Sequence, residues 1–281
     1  LIILISITFI LGYYYGLYTG KESVKLYLLN ISLLKGFSSE YLLTGIGPSW
    51  SMSVEELFYL LSPLIFLYTK KVSSLIKFVI LFYLLGILIT SLFSLFPANG
   101  FFDSYLFMFN FTFFGRFFEF ACGIFLGMVV KGQIKNPFQK TPGKIILYIG
   151  LIIIVTSLII LYLIAKKYHI MSAIDSVQGV LINNILMPIG IVFLFFSLIY
   201  QKSFLQYFLS NKLMVSLGNS TYSFYLLHTT FVLSLIFKFI SKNIFIAFIV
   251  MIIVSYIFHK TVEQPLALVL RKKLSKNTTT A

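Results

Sequence analysis

The feature that most constrains this chain is a recurrence of apolar, charge-free stretches, each about as long as a bilayer is thick. They lie at 1–20, 78–102, 145–165, 176–201 and 213–237. A helix rising about 1.5 Å per residue needs roughly 20 apolar residues to cross about 30 Å of hydrocarbon. Three further segments are shorter or interrupted. Residues 57–69 follow Glu55 and Glu56, 104–130 carry Arg116 and Glu119, and 243–258 run up to His259. Inside hydrocarbon the backbone must satisfy its own hydrogen bonds, so each segment reads as helix. The expected fold is all-α: a polytopic transmembrane bundle of about eight spans.

The chain is 59% hydrophobic and 11% charged, with a mean hydropathy of +0.98. A soluble domain carries about 25% charge, so solubility in water is excluded. The net charge of +14 raises the question of nucleic acid, and the placement of the charges answers it. The connections after the second, fourth and sixth spans, with the C-terminal tail, hold 14 of the 22 basic residues. These are Lys70, Lys71, Lys77, Lys131, Lys135, Lys140, Lys144, Lys202, Lys212, Lys260, Arg271, Lys272, Lys273 and Lys276. The other connections hold seven (Lys21, Lys25, Lys35, Lys166, Lys167, Lys238 and Lys242), and Arg116 lies within a span. By the positive-inside rule the lysine-rich loops and both termini belong in the cytoplasm, in a multi-pass protein of the cell membrane. No solvated basic face is left for nucleic acid.

Along the chain, residues 1–265 read as one transmembrane domain and 266–281 as a basic cytoplasmic tail. Residues 1–18 lack the basic flank and cleavage site of a signal peptide, and a chain starting with Leu is expected to be processed or part of something longer. The connection Thr19 to Gly47 contains an apolar stretch, Leu26 to Leu34, expected to lie on the membrane surface. It ends in Gly45, Gly47 and Pro48, turn chemistry ahead of a helix. Ser51 or Ser53 is the expected N-cap, with Glu55 and Glu56 in the first turn. The loop 131–144, with Gly132, Pro137, Pro142 and Gly143, reads as a solvated turn, and the single cysteine, Cys122, as a packed residue.

Charges inside spans are costly and mark function by default. Arg116 and Glu119, three apart, can pair on one helix face, either to fix packing or to meet a substrate. His228 lies about 15 residues into its span, and Tyr225 shares its face. Read as a continuous helix, that span lifts His228 roughly 20 Å from the inner end. Glu55, Arg116, Glu119 and His228 are then expected at similar depths, around a polar cavity. His169 and His259 fall near span ends and read as interfacial; Asn183, Asn184 and Pro188 read as interhelical hydrogen bonding and a kink. The sequence offers no metal ligand set.

Four blocks in order carry a resemblance. They are Trp50-Ser51-Met-Ser53-Val-Glu55-Glu-Leu-Phe-Tyr59 with Pro63; Arg116-Phe-Phe-Glu119-Phe-Ala-Cys-Gly123; Leu217-Gly218-Asn-Ser220-Thr-Tyr222-Ser-Phe-Tyr225-Leu-Leu-His228; and Val262-Glu263-Gln-Pro265. Together they resemble the acyltransferase-3 family of membrane O-acyltransferases over essentially the whole chain. The resemblance implies transfer of an acyl group, usually acetyl, from cytoplasmic acyl-CoA as donor to a hydroxyl of a cell-surface or exported glycan or a lipid-linked sugar, in a bacterial plasma membrane, with no bound cofactor. It makes Glu55 and His228 candidate proton-handling or orienting groups, Arg116 a candidate anion-binding group, and Glu119 its partner. It gives Trp50, Ser51, Ser53, Tyr59, Gly123, Gly218, Ser220, Tyr222, Tyr225, Glu263 and Pro265 motif or structural roles. Family members usually carry two further N-terminal helices, with a catalytic histidine on the first and an arginine pair after the second. This chain is therefore expected to begin at about the family's third span and to be inactive alone. The alternative is a non-catalytic membrane protein: a carrier for a lipid-linked sugar, or a partner subunit. A carrier would favour inverted internal symmetry, which the sequence lacks.

Overall fold

A computed structural model describes residues 1–96 and 98–278, apart from the side chains of Leu270 and of 273–278. In chain order the helices are α1 (Ile2–Tyr14), α2 (Gly20–Ile31), α3 (Trp50–Tyr68), α4 (Val72–Leu95), α5 (Tyr105–Phe111), α6 (Phe113–Val130) and α7 (Gly143–Tyr168). They continue with α8 (Val177–Leu181), α9 (Met187–Tyr200), α10 (Phe204–Leu209), α11 (Lys212–Asn219), α12 (Thr221–Leu227), α13 (Phe231–Phe239), α14 (Ile244–Phe258) and α15 (Gln264–Thr278). Among the described residues there is no strand, only an isolated bridge between Ser38 and Phe101.

The eight apolar segments are all helical, but they are not equivalent. Six helical stretches are long and apolar enough to cross a membrane: Gly47–Tyr68, Val72–Leu95, Tyr105–Val130, Gly143–Tyr168, Val177–Tyr200 and Ile244–Val269. The first apolar segment forms a helix of only 13 residues. The segment 213–237 is not one continuous helix: α12 and α13 meet at a bend of 78°. The count of about eight therefore resolves into six full-length spans, one broken span and one short helix.

Contacts divide the chain into two compact units. One comprises Leu1–Tyr27, Gly45–Pro48 and Tyr207–Ala281; the other comprises Leu28–Thr44 and Ser49–Gln206.

The larger unit contains α3 to α9. Its core is aromatic: Phe113 and Phe117 on α6 are fully buried and meet Phe82 of α4 at ring centroid distances of 5.0 and 4.5 Å. Helices α7 and α9 pack closely because glycines face each other; a Cβ on Gly150 would lie 2.8 Å from the Leu194 nitrogen. Such small-residue contacts replace the hydrophobic drive that lipid cannot supply. At one end of this unit the connections gather. Ser38 Oγ donates to the Asn99 carbonyl at 2.6 Å, Ser39 hydrogen-bonds Asp103, and Asn110 Nδ2 donates to the Ile174 carbonyl at 2.8 Å. At the other end Ser197 Oγ donates to the Gly143 carbonyl at 3.0 Å, and Phe138 packs on Phe193 and Phe196. Successive spans thus enter from alternate ends, and Lys70, Lys71, Lys131, Lys135, Lys140, Lys144 and Lys202 share the second end, as the charge count required. The loop after α6 is exposed, as expected of a solvated turn.

The smaller unit holds α1 and α11 to α15. Tyr225 Oη donates to the Pro48 carbonyl at 2.7 Å, and Ser6 Oγ hydrogen-bonds Tyr27 Oη at 2.8 Å. Phe9 stacks on Tyr18 at 4.4 Å.

The capping expectation for α3 fails. The helix starts at Trp50 after a short 3-10 turn, Gly47–Ser49, so Ser49 precedes it and no side chain caps it. Ser51 and Ser53 lie inside the helix, and Glu55 and Glu56 fall past its first turn. Pro48 preconditions the chain for helix one turn earlier than the serines suggest.

Candidate active site

Polar chemistry in the larger unit collects around the break between α5 and α6. Thr112, extended at φ −109° and ψ 156°, interrupts the run and leaves carbonyls of the last α5 turn without helical partners. Two side chains take them. Asn184 Nδ2 donates to the Phe109 carbonyl at 2.7 Å, and Arg116 Nη1 reaches the Asn110 carbonyl at 3.4 Å. Asn184 is 2% exposed and sits in a π-helical turn, Ile182–Leu186, whose extra residue aims it across at α5. Asn183 Nδ2 donates to Asn184 Oδ1 at 2.8 Å. The interhelical role expected of these asparagines holds for Asn184, while Asn183 bonds its neighbour in the same turn.

The Arg116–Glu119 pair forms, and it is forked: Nε to Oε1 at 2.8 Å and Nη2 to Oε2 at 3.0 Å. Two parallel charge-assisted bonds fix the guanidinium plane. Both side chains keep an exposed edge, 23% for Arg116 and 29% for Glu119, so the pair is reachable by a small ligand. Glu55 is half-buried, and among the described residues it takes no hydrogen bond or ion pair.

The first motif block is an anchor for the segment before it. Ser53 Oγ donates to the Leu33 carbonyl at 2.5 Å, and a Cβ on Gly36 would lie 3.1 Å from the Trp50 carbonyl. Trp50 meets Phe111 edge-on at 4.9 Å, and Tyr59 is exposed. Pressed against this helix is a group that sequence reading missed. Lys35, counted as one more outer lysine, is fully buried, with Nζ donating to the Thr44 carbonyl at 2.6 Å. Burial pushes its ammonium down from 10.5 to about 7. The neighbouring Lys35-Gly36-Phe37 sequence gives no periodic signal that separates a buried lysine from a solvated one.

In the smaller unit the late motif builds a second cluster. His228 ends α12 at the break, and its Nδ1 lies 2.7 Å from the Tyr225 carbonyl, an acceptor, so Nδ1 carries the proton. In the neutral form of the ring, that tautomer leaves Nε2 as the basic nitrogen. Tyr225 lies beside His228 at a ring distance of 5.8 Å, as the shared face predicts. Thr230 caps α13 and donates to the Leu227 carbonyl at 2.7 Å, closing the other side of the break. Ser223 Oγ donates to Glu263 Oε2 at 2.5 Å, and His259 Nδ1 lies 3.0 Å from the same oxygen. Glu263 thus ties α12 to the π-helical turn His259–Glu263, with Pro265 just beyond. Ser220 back-bonds to the Leu217 carbonyl, and Tyr222 is half-buried. Neither Gly123 nor Gly218 has anything within 4 Å of an added Cβ, so intramolecular packing does not demand a glycine at either position. The rise count that placed His228 mid-span does not apply, because the segment bends there. His169 is exposed at the end of α7, where it adopts φ 52°.

Apolar helices long enough to span a bilayer, with breaks whose carbonyls are met by side chains, define a polytopic helical membrane protein. The profile of the acyltransferase-3 family, described as an acyltransferase domain, matches residues 1–260. The chain belongs to that family and is an acyltransferase. No curated protein and no solved structure matches it.

Proposed function

We propose that this acyltransferase moves an acyl group, acetyl foremost, from cytoplasmic acyl-CoA to a hydroxyl of a cell-surface or exported glycan. The observation that carries the reading is the tautomer of His228, whose Nδ1 proton is held by the Tyr225 carbonyl while Nε2 stays free. A hydroxyl oxygen attacks the thioester carbon as its proton passes to Nε2. The carbon–sulfur bond then breaks, and the proton leaves on the thiol. General-base help of this kind is worth roughly 100- to 10,000-fold. Within the larger unit, the Arg116 guanidinium, held flat by Glu119, is suited to bind an anionic group. The 14-to-7 bias of basic residues between the two sets of connections supports a cytoplasmic placement for the lysine-rich loops and both termini, in a plasma membrane.

The test uses membranes from cells expressing the complete open reading frame, supplied with labelled acetyl-CoA. Label should reach hydroxyls of surface glycan, and His228→Ala should cut the rate by roughly 100-fold or more at equal folded protein. Normal transfer by His228→Ala would refute the base assignment. Reporter fusions after Lys140 and near Glu40 should report cytoplasm and exterior respectively; the reverse would overturn the topology.

A further inference from the structure

The larger unit carries an apolar groove of about 270 Å³ between α4, α6 and α9. Val72 and Ile76 form one wall, Cys122 and Phe125 another, and Phe138 and Phe193 close the end nearest the lysine-rich loops. No polar surface faces into it. Val72 and Ile76 remain exposed, so the groove opens sideways rather than into the core.

Three independent observations put positive charge at its mouth. Lys71 immediately precedes Val72, and Lys135 and Lys140 flank Phe138 in sequence; all three are exposed, and none has an ion pair among the described residues. No acid lies between Glu56 and Asp103 or between Glu119 and Asp175, so the loops at this end contain none. Finally, α4 begins at Lys71 with no side-chain cap and no acid in its first turn, leaving the positive end of a 24-residue helix uncompensated.

A hydrocarbon slot under a cationic rim fits an amphiphile with an anionic head. We propose that this groove binds one anionic phospholipid, its acyl chain between α4 and α6 and its phosphate among Lys71, Lys135 and Lys140. A zwitterionic lipid would fill the slot equally well and gain little from the rim. The selectivity therefore belongs to the lysines, and the occupancy to the slot. Each lysine near an anionic headgroup contributes about a fivefold preference.

Cys122 lines the groove and is the sole thiol of the chain, which makes it a reporter. The purified chain would be placed in nanodiscs of phosphatidylcholine, with or without phosphatidylglycerol, and Cys122 reacted with a lipid-soluble thiol reagent. Labelling should be roughly tenfold slower with phosphatidylglycerol, and native mass spectrometry should retain one such lipid. The triple variant Lys71→Ala/Lys135→Ala/Lys140→Ala should lose both effects and label normally in phosphatidylcholine. Ala121→Leu, which fills the slot and leaves the rim intact, should lose the retained lipid. Equal labelling in the two lipids would overturn the proposal, as would full lipid retention by the triple variant. Protection by acyl-CoA and not by phosphatidylglycerol would assign the groove to the donor instead. Protection that grows with the number of chains per disc would assign it to a second copy.

Discussion

Replacing Asn184 by leucine tests whether a side chain, rather than solvent, holds the α5–α6 break. The substitution keeps volume and removes the donor 2.7 Å from the Phe109 carbonyl. That carbonyl has lost its helical partner to the break at Thr112. A buried acceptor left unsatisfied costs about 1–3 kcal/mol in general, while interhelical bonds in membranes average about 0.6 and reach about 1.7. Asn184 is 2% exposed, which places the loss toward the upper membrane figure, about 1.5 kcal/mol. The contact to the Gly115 carbonyl, at 3.5 Å, adds little. Asn183→Leu removes only the 2.8 Å bond to Asn184 and should cost about 0.5 kcal/mol, since Asn183 is partly exposed. At roughly 2–4 °C per kcal/mol, Asn184→Leu should lower the apparent Tm by roughly 3–6 °C and Asn183→Leu by about 1–2 °C. The assay is thermal loss of the monodisperse peak in detergent. An Asn184→Leu protein as stable as the parent, or an Asn183→Leu protein that is the less stable of the two, would refute the reasoning.

Three further outcomes follow from named contacts. In the protein expressed from the complete open reading frame, Arg116→Glu with Glu119→Arg should leave the protein folded but inactive, because the cation moves three residues along α6; recovery of near-normal transfer would make the pair purely structural. The cost of misplacing one anion-stabilising donor is about 2.7–4 kcal/mol of barrier. Lys35 is neutral in the folded protein above about 7 yet charged when unfolded up to 10.5, so stability should be flat below pH 7 and rise between those values. The slope is at most about 1.4 kcal/mol per pH unit, and Lys35→Met should abolish it in pH-dependent melting; a slope that survives would disprove the burial. Gly115→Ala places a Cβ 2.2 Å from the Phe109 Cα, a backbone clash expected to cost about 1–3 kcal/mol of stability. A neutral melting curve for that variant would show that the break is not closely packed.

The spans were legible because hydropathy is a local quantity, and a bilayer reads it residue by residue. Arg116 and Glu119 were legible as a pair for the same reason, since their spacing of three is itself local. The breaks were not. Neither Thr112 nor His228-Thr229-Thr230 carries a proline or a lysine, arginine or carboxylate to announce a break, and what holds each break open is a partner far away in sequence or a carbonyl that composition cannot reveal. The cap of α3 was misplaced because two serines precede two glutamates at a favourable spacing, while Gly47 and Pro48 had already started the turn. Lys35 was read as solvated because lysine between apolar residues usually is; its burial depends on Ser53, Gly36 and Thr44 coming together, and no sequence window contains all three.

The bend at His228 bears on traffic of protons. α12 and α13 have seven and nine residues, so at about 1.5 Å each neither reaches halfway across the hydrocarbon. Where they part, peptide groups that a continuous helix would seal must find other partners, and hydrocarbon offers none. Thr230 and His228 supply two of them. Any that remain need another polar partner, so a bend of this kind belongs where protein or water, rather than lipid, surrounds the imidazole. On the proposed reading, such a surround lets the imidazolium form and return its proton to the departing thiolate.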